Sequence, residues 1–271
     1  MSTDKQLDFC LLIPCYNNLK GLVQSLKTVT YFADKFSVII VDDGSDIPIS
    51  LKIIEGEIRP SYPIKILRSE QNEGITAALN KGLKWIEEKI MARYIARLDC
   101  GDLCDDARFY KQMDYMDKHP HASLLGTWCM FENRKTSSKY QYRTPTSHNE
   151  IQTAMYFRNV FIHPTVIFKT SMLTKVGYYP AAFPHAEDYA FFWQLLNSGE
   201  GHILDEVLVN CELNSEGISI QNRREQLAAR ARVVEKFGTN FFLKILGTLR
   251  LKVLLILPKH LILSLKKLSA R

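Results

Sequence analysis

The chain has 271 residues, 46% of them hydrophobic and 24% charged, with a formal net charge of +6. This composition is typical of a soluble globular protein with one large domain, or one domain and a small appendage. Residues 1–8 are polar, and the apolar run at 9–14 is too short for a signal peptide. The six cysteines have no zinc-site spacing. Because no export signal is recognised, they are predicted to be reduced thiols in a cytosolic protein.

The positive charge is concentrated in the tail. Residues 241–271 contain seven Lys or Arg and no Asp or Glu, so the other 240 residues hold 28 basic and 29 acidic groups. A nucleic-acid-binding protein more often spreads basic residues over its body. The distribution therefore argues against a nucleic-acid partner.

Short apolar runs alternate with helical patterns in the first hundred residues. Strands are predicted at 9–14, 36–41, 64–67 and 94–98, and helices at 19–31 and 74–89. This order is typical of a mostly parallel sheet covered on both faces. The second half is less regular. Strands are predicted there at 122–131, 138–143, 161–168 and 201–213, and helices at 187–196 and 221–237.

Polar residues follow three of these strands, at 14–18, 42–45 and 99–102. Ligands of open parallel sheets bind beyond the carboxyl ends of the strands. We therefore expect the three segments to meet at one edge of the sheet and to line a ligand site.

The segment Asp42-Asp43-Gly44-Ser45 lies where a strand turns toward a helix. Its residue types are ordinary in a capped turn. Carboxylates at this place also suit a nucleotide, because they accept hydrogen bonds from a base imide or from ribose hydroxyls. The residues alone are compatible with both a capped turn and a nucleotide-binding segment.

The segment Asp99-Cys100-Gly101-Asp102 places two carboxylates three residues apart in a tight turn. They could converge on Mg²⁺ or Mn²⁺, with a diphosphate supplying further oxygen ligands. A second capped turn is the alternative.

Glu187 and Asp188 open an aromatic helix. Acidic residues stabilise a helix N-terminus through its dipole, which is a sufficient structural reason for them. A carboxylate in a partly apolar pocket is also placed to act as a general base on a hydroxyl group.

Six short motifs resemble, in their order, those of the large inverting family 2 of bacterial glycosyltransferases. They are Ile-Pro-Cys-Tyr-Asn at 13–17, Val-Asp-Asp-Gly-Ser at 41–45, Asn-Glu-Gly at 72–74, Ala-Leu-Asn-Lys-Gly at 78–82, Tyr-Ile-Ala-Arg-Leu-Asp at 94–99 and Ala-Glu-Asp-Tyr at 186–189. The resemblance covers roughly residues 8–215. It implies the α/β GT-A fold, a Rossmann-like three-layer sandwich with a mostly parallel central sheet. The implied domain spans 1–215, with a nucleotide-binding half at 1–104, an acceptor half at 105–215 and a helical basic extension at 216–271.

The resemblance also implies the roles of particular residues. Asp188 is the expected general base, with Glu187 orienting it or the acceptor. Asp99 and Asp102 are the expected ligands of Mn²⁺ or Mg²⁺, and His163 is a further candidate for which a structural role is favoured. The expected nucleotide-sugar-binding residues are Pro14, Tyr16, Asp42, Asp43, Asn72, Gly74, Asn80 and Asp99.

One position departs from the family pattern. Relatives often have Asp-Ala-Asp-Asp at this turn, whereas the third position here is Gly101. A carboxylate usually credited with metal contact is therefore missing. Either Asp102 takes its place, because a glycine turn allows close approach, or metal dependence is weak.

The tail reads as helical pieces at 241–257 and 259–268, broken at Pro258. No apolar run reaches the roughly 18 residues of a spanning helix. Lys244, Lys252, Lys259 and Lys266 recur on one side among leucines and isoleucines. The pattern favours a helix lying in the inner surface of the cytoplasmic membrane, with a helix packed on the domain as the alternative.

The predicted function is inverting transfer of a hexose or related sugar from a nucleotide-diphosphate sugar, UDP being favoured, to a hydroxyl of a glycan or lipid-linked glycan. The expected setting is bacterial surface polysaccharide or lipopolysaccharide synthesis, in the cytoplasm at the membrane surface. A sugar-nucleotide nucleotidyltransferase is an alternative, but segment 14–18 lacks the Gly-rich loop that such enzymes use. A non-catalytic nucleotide-sugar-binding protein is another, suggested by Gly101 and opposed by Asp188.

Overall fold

The computed structural model describes residues 6–133, 136–213 and 222–256. Within these ranges nine strands form one sheet. The strands are β1 (Leu7–Cys15), β2 (Phe36–Asp42), β3 (Ile64–Arg68), β4 (Ala92–Arg97), β5 (Leu103–Cys104), β6 (Ala122–Asn133), β7 (Ser138–Tyr142), β8 (Ile167–Lys169) and β9 (Glu200–Glu212). Their order is β3-β2-β1-β4-β8-β6-β9-β5, with β7 paired to β6.

Helices cover both faces of this sheet. They are α1 (Leu19–Leu26), α2 (Leu51–Glu57), α3 (Ile75–Lys89), α4 (Arg108–Lys118), α5 (His148–Met155), α6 (Leu173–Val176), α7 (Glu187–Leu196), α8 (Arg223–Phe237) and α9 (Phe241–Ile256). Short 3₁₀ turns occupy His163–Thr165 and Thr170–Met172.

Most strands run in one direction, as the sequence predicts. β1 pairs in parallel with both β2 and β4, and β2 with β3. β8 is antiparallel to β4 and to β6, so β6 again runs with β4, and β9 is parallel to β6. The carboxyl ends of β1, β2, β4 and β9 therefore lie along one edge, at Cys15, Asp42, Arg97 and Glu212. We call it the carboxyl edge.

The alternation of side chains along β1 builds two hydrophobic layers. Cys10 and Leu12 pack with α3 on one face, in a cluster that extends to α7 and α8. Phe9, Leu11 and Ile13 pack with α1 and α4 on the other. Since successive strand residues point to opposite faces, a continuously apolar strand must be covered on both sides. The predicted three-layer sandwich follows from this pattern.

Two predicted elements have different bounds in the structure. Helix 19–31 ends at Leu26, because the Thr28 hydroxyl donates to the carbonyl of Ser25 (2.7 Å) and accepts from the N–H of Cys104 (3.0 Å). These bonds replace helical ones. Strand 161–168 is a 3₁₀ turn followed by β8, since Pro164 has no N–H to donate to a neighbouring strand. Helices α2, α5 and α6 and strand β5 are not among the predicted elements.

The carboxyl-terminal helices pack on the domain. Buried residues of α8 belong to the same cluster as those of α7. The Tyr156 hydroxyl accepts hydrogen bonds from the N–H groups of Thr239 (2.8 Å) and Asn240 (2.7 Å), where α9 begins. On α9, Lys244 and Lys252 lie on the same side, and both reach Glu235 of α8. For residues 241–256, this packing agrees with the alternative prediction, a helix packed on the domain.

The rest of the tail prediction, including Pro258, Lys259, Lys266 and helix 259–268, lies outside the described residues. In the part of the chain that is described, no helix combines the length and apolarity needed to cross a bilayer.

Gly82 sets how closely α3 approaches the sheet. A Cβ at this position would lie 2.3 Å from Cδ1 of Leu12 and 3.1 Å from Cγ2 of Val41. Both neighbours are fully buried, so a side chain here must displace the interior.

We predict that Gly82→Val lowers the free energy of unfolding by about 1–3 kcal/mol through overpacking. Gly56→Val in α2 is the matched control, because a Cβ there meets no atom within 4 Å; it should change the free energy by less than about 0.5 kcal/mol. Urea denaturation measures both. Equal effects in the two variants would contradict the close approach of α3.

Candidate active site

Arg97, the last residue of β4, is fully buried. Its guanidinium donates to the carbonyl of Leu12 and, at 2.7 Å, to Oδ1 of Asp99. Nε donates to Nε2 of His163 at 3.3 Å. A buried charge is tolerated only when such partners replace water. Arg97 thereby fixes the start of the turn that follows β4.

His163 is neutral in this arrangement. Burial, assisted by the charge of Arg97, holds the pKa of His163 well below its usual range. Its Nε2 also lies 2.9 Å from the Tyr179 hydroxyl. Since Nε2 already accepts from Arg97, this geometry supports the structural role for His163 over the metal role.

Asn80 contacts the loop that carries Tyr179. Its amide nitrogen donates to the carbonyl of Tyr179, and its amide oxygen accepts from the N–H of Tyr179, both at 2.9 Å. The nucleotide role of Asn80 stays a prediction, and these two hydrogen bonds give Asn80 a positioning role as well. The partner lies 99 positions away, which no local motif could have indicated.

Asp42 is fully buried at the end of β2. One oxygen accepts from the N–H of Ser45 (2.9 Å), and the other from the N–H of Ile49 (3.1 Å) and from the Arg68 guanidinium. Burial alone would raise the pKa of Asp42, but these bonds hold it below the usual value. Asp42 therefore orders the loop beyond β2.

Asp43 joins that loop to the start of α3. Its two oxygens accept from the N–H groups of Glu73 (3.0 Å) and Gly74 (2.9 Å). Gly74 has φ +88°, a conformation that favours glycine. Asn72 is exposed beside this contact. The structure thus brings together four predicted nucleotide-binding positions, 42, 43, 72 and 74.

The loop beyond β1 is tied to the same region. Tyr16 is 48% exposed, whereas Pro14 is buried in β1 and its carbonyl accepts from the Cys100 thiol at 3.2 Å. Asn17, at φ +49°, exchanges side-chain and backbone hydrogen bonds with Asp46. Tyr16 is therefore presented outward from a fixed backbone, as expected of a residue that contacts a ligand.

The turn after β4 is held by Ser25 of α1. The Ser25 hydroxyl donates to the carbonyl of Asp99 at 3.2 Å and accepts from the N–H of Gly101 at 2.9 Å. Gly101 has φ +104°. The Asp99 side chain remains 40% exposed while paired with Arg97. Asp99 is thus anchored and still accessible.

Asp102 faces inward from this turn. It is 6% exposed, and its Oδ1 accepts from the N–H of Glu212 at 2.8 Å. Burial, followed by the charge of Asp99, raises the pKa of Asp102 to about 8. The Glu212 side chain lies over the turn, because a Cβ built on Gly101 would stand 2.8 Å from its Oε2.

Glu187 and Asp188 form the first turn of α7. Asp188 accepts from the Asn159 amide at 2.9 Å through Oδ2, and from the N–H of Tyr189 at 2.7 Å through Oδ1. Burial raises the pKa of both acids, that of Glu187 to about 7, with Asp188 as its second cause. Arg230 of α8 opposes the shift at Asp188.

The turn after β4 and the start of α7 lie close enough to interact electrostatically. The charge of Asp99 contributes to the raised pKa of Glu187 and of Asp188. The predicted base and the predicted diphosphate residue Asp99 therefore lie within electrostatic reach of each other. Sequence reasoning missed Arg97, Asn159 and Glu212. Of these, Glu212 carries a usable signal, because it ends a strand parallel to β4.

The chemistry of the turn suits a divalent cation. Asp99 and Glu212 offer carboxylate oxygens, which Mg²⁺ and Mn²⁺ prefer. Within residues 6–133, 136–213 and 222–256, no three His, Cys, Asp or Glu side chains form a complete metal site. Mg²⁺ is commonly held by one or two carboxylates and completed by substrate phosphates. The residues fit a cation bound together with a diphosphate.

Solved structures share this architecture. TarS 1–349 of S. aureus, in complex with UDP-GlcNAc, has a TM-score of 0.67 at 19% identity, over 89% of this chain and 70% of that chain. The mannosyltransferase PcManGT of Pyrobaculum calidifontis, in complex with GDP-Man and Mn²⁺, has a TM-score of 0.63 at 15% identity, over 93% and 70%. The chain therefore has the GT-A fold.

The sequence comparisons define the family. The profile of glycosyl transferase family 2 matches residues 10–178. The amylovoran biosynthesis glycosyltransferase AmsE of Erwinia amylovora is 31% identical over 196 residues, 70% of each chain. The UDP-Gal:alpha-D-GlcNAc-diphosphoundecaprenol beta-1,3-galactosyltransferase of Escherichia coli is 30% identical over 199 residues, 73% of this chain and 70% of its own. The chain belongs to glycosyl transferase family 2 and is a glycosyltransferase.

We predict that Asn80→Asp lowers the free energy of unfolding by about 1–3 kcal/mol, because the Tyr179 carbonyl loses its donor and faces an acceptor. Asn72→Asp, at an exposed position, should leave stability unchanged. Urea denaturation and UDP binding are measured on both variants. Weakened UDP binding at unchanged stability in Asn80→Asp would contradict the positioning role and favour direct nucleotide contact.

Proposed function

We propose that the protein transfers a sugar, with inversion at the anomeric carbon, from a nucleotide-diphosphate sugar to a hydroxyl group of a glycan or lipid-linked glycan. The observation that carries this proposal is the geometry of Asp188. Its carboxyl group is oriented by Asn159 and by the N–H of Tyr189, and the nearby charge of Asp99 contributes to its raised pKa. A binding-only protein has no need of a base at this place.

In the proposed reaction Asp188 accepts the proton of the acceptor hydroxyl as its oxygen attacks the anomeric carbon of the donor. The bond between that carbon and the diphosphate oxygen breaks on the opposite side, and the nucleoside diphosphate leaves with the bonding electrons. A single displacement inverts the configuration. Burial and the neighbouring acids make Asp188 a stronger base than an ordinary carboxylate. Glu187 orients Asp188 or the acceptor.

On the donor side, Tyr16 and the loops ordered by Asp42 and Asp43 form the proposed nucleotide site, with Asn72 and Gly74 closing it. Asp99 serves the ribose, the diphosphate and a bound Mn²⁺ or Mg²⁺, with Asp102 as the second ligand that the sequence suggests. When bound, the cation would neutralise charge on the leaving diphosphate. UDP is the proposed nucleotide, supported by relatives and neighbours whose names include UDP or a UDP-sugar.

The acceptor class is supported by what the relatives are named for. Amylovoran biosynthesis, a diphosphoundecaprenol-linked sugar and O-antigen biosynthesis occur among them. We propose that this chain likewise acts in bacterial surface polysaccharide synthesis. Membership of glycosyl transferase family 2 argues against the alternatives, a nucleotidyltransferase and a non-catalytic binding protein.

We predict that Asp188→Asn lowers kcat by about 100- to 10,000-fold, because the proton of the acceptor hydroxyl loses its base. The affinity for UDP should be unchanged, since Asp188 acts on the acceptor. Transfer from radiolabelled UDP-sugars to undecaprenyl-linked glycans measures the first quantity, and calorimetry the second. Full activity in this variant would exclude Asp188 as the base.

We predict that kcat/KM falls as the pH is lowered, because only the ionised base accepts a proton. The pKa of Glu187 is raised to about 7 and that of Asp188 is raised with it, so the inflection should lie above the ordinary carboxyl value of about 4. Glu187→Gln removes a neighbouring negative charge and should move the inflection to lower pH. An inflection that stays in place would contradict the coupling.

We also propose that the tail binds the inner membrane surface. Helix α9 packs on the domain with one side and exposes apolar side chains on the other. This apolar face consists of Phe241, Phe242, Ile245, Leu246, Leu249 and Val253, each 45–75% exposed. Such a face beside basic residues suits the interface of an anionic bilayer, where a lipid-linked acceptor resides.

We predict that the double variant Phe242→Glu, Leu246→Glu reduces binding to phosphatidylglycerol–phosphatidylethanolamine vesicles by at least about tenfold, because two large apolar side chains leave the acyl boundary. Met91→Glu is the matched control, since Met91 is 60% exposed on another surface. Co-sedimentation measures both. Equal binding by wild type and the double variant would contradict membrane contact through α9.

A further inference from the structure

Gly101 leaves a side-chain position vacant beside the proposed diphosphate site. Its φ of +104° is unfavourable for any residue with a Cβ. The turn is fixed in this conformation by Ser25 and by the hydrogen bond from the Gly101 N–H to its hydroxyl. The backbone therefore cannot readily carry a side chain at position 101, where the family pattern Asp-Ala-Asp-Asp has a carboxylate.

The Glu212 carboxylate occupies the space that a side chain at position 101 would fill. A Cβ on Gly101 would stand only 2.8 Å from Oε2 of Glu212, closer than non-bonded carbon and oxygen atoms approach. Glu212 ends β9, which runs parallel to β6 and hence to β4. Its side chain reaches the turn because both strands finish at the carboxyl edge. Glu212, 110 residues after Asp102 in the chain, thus places its carboxylate beside the turn.

Asp102 anchors this arrangement. Its Oδ1 accepts the Glu212 N–H at 2.8 Å, which fixes the backbone of Glu212 relative to the turn. Asp102 itself is 6% exposed, whereas Glu212 lies at the surface. Of the two acids, Glu212 is the one that a cation carrying a diphosphate could reach from solvent. Asp99, 40% exposed, lies at the other end of the same turn.

We infer that Glu212 supplies, from β9, the metal-binding carboxylate that position 101 lacks, so that Asp99 and Glu212 hold the divalent cation while Asp102 positions Glu212. This inference rests on the proposed metal-assisted function. It assigns the second metal ligand to Glu212 instead of Asp102. This assignment also gives a reason for glycine at position 101, because a side chain there would collide with the Glu212 carboxylate.

The test is a titration of the full-length protein with Mn²⁺ in saturating UDP, followed by the electron paramagnetic resonance signal of free Mn²⁺. Glu212→Gln should raise the Kd for Mn²⁺ at least about tenfold, because a charged oxygen ligand becomes a neutral one. Glu206→Gln is the matched control on the same strand; Glu206 pairs with Lys111, and its substitution should leave the Kd unchanged.

UDP binding provides a second readout that a purely structural role would not change in the same way. With EDTA, Glu212→Gln should bind UDP as tightly as wild type or more tightly, since a negative charge near the diphosphate is removed. With Mn²⁺, the same variant should bind UDP more weakly than wild type. This reversal of sign is expected of a metal ligand and not of a destabilising substitution.

The outcomes separate the inference from the proposed function. A normal Kd for Mn²⁺ in Glu212→Gln, together with a raised one in Asp102→Asn, would overturn the inference and return the ligand role to Asp102. If Mn²⁺ does not tighten UDP binding by wild type, the metal and this inference are both wrong, whereas sugar transfer in EDTA would leave the transferase proposal standing.

Discussion

The buried guanidinium of Arg97 is the interaction on which the active-site geometry depends. It joins the β1 carbonyl of Leu12, the Asp99 carboxylate and the His163 ring, which belong to three separate segments of the chain. A second buried arginine, Arg108, donates to the Arg97 carbonyl at 2.8 Å. Because a charge without water must keep all its partners, β4 and the segment at His163 cannot shift separately. Because Asp99 is bonded to the same guanidinium, the turn that begins at Asp99 is also held in place.

Negative charge accumulates around this fixed turn. Asp99 is a cause of the raised pKa of Asp102, Glu187 and Asp188, and burial is the first cause for all three. The charges of Arg108, near Asp102, and of Arg230, near Asp188, offset only part of these shifts. The folded chain therefore holds acids close together at some cost in stability, as is common where a protein is organised for a ligand and not for its own stability. A cation arriving with the donor would relieve the repulsion.

The sequence predicts the parts of this fold that depend on local pattern. Continuously apolar strands, the parallel sheet and the meeting of segments 42–45 and 99–102 at the carboxyl edge follow from hydrophobic periodicity and strand order. The long-range hydrogen bonds that position the site residues do not follow from local sequence pattern. Asn80 meets Tyr179, and Glu212 meets Asp102, across 99 and 110 positions. Such contacts depend on strand register and loop path, for which a single sequence has no local signal. Helix 19–31 was too long for a similar reason, because Thr28 bonds to β5.

Tyr156 links α9 to α7, the helix that begins with Glu187 and Asp188. Its hydroxyl holds the first N–H groups of α9, and its ring packs edge-on against Trp193 of α7 at 4.9 Å between centroids. On α7, Tyr189 follows Asp188 directly, and its hydroxyl donates to the carbonyl of Met155. The apolar face of α9 and the Asp188 carboxyl are thus connected through a continuous set of packed and hydrogen-bonded side chains. If α9 binds a surface, the distance from that surface to Asp188 is therefore fixed. Only acceptors whose hydroxyl group lies at that distance from the surface would then reach Asp188.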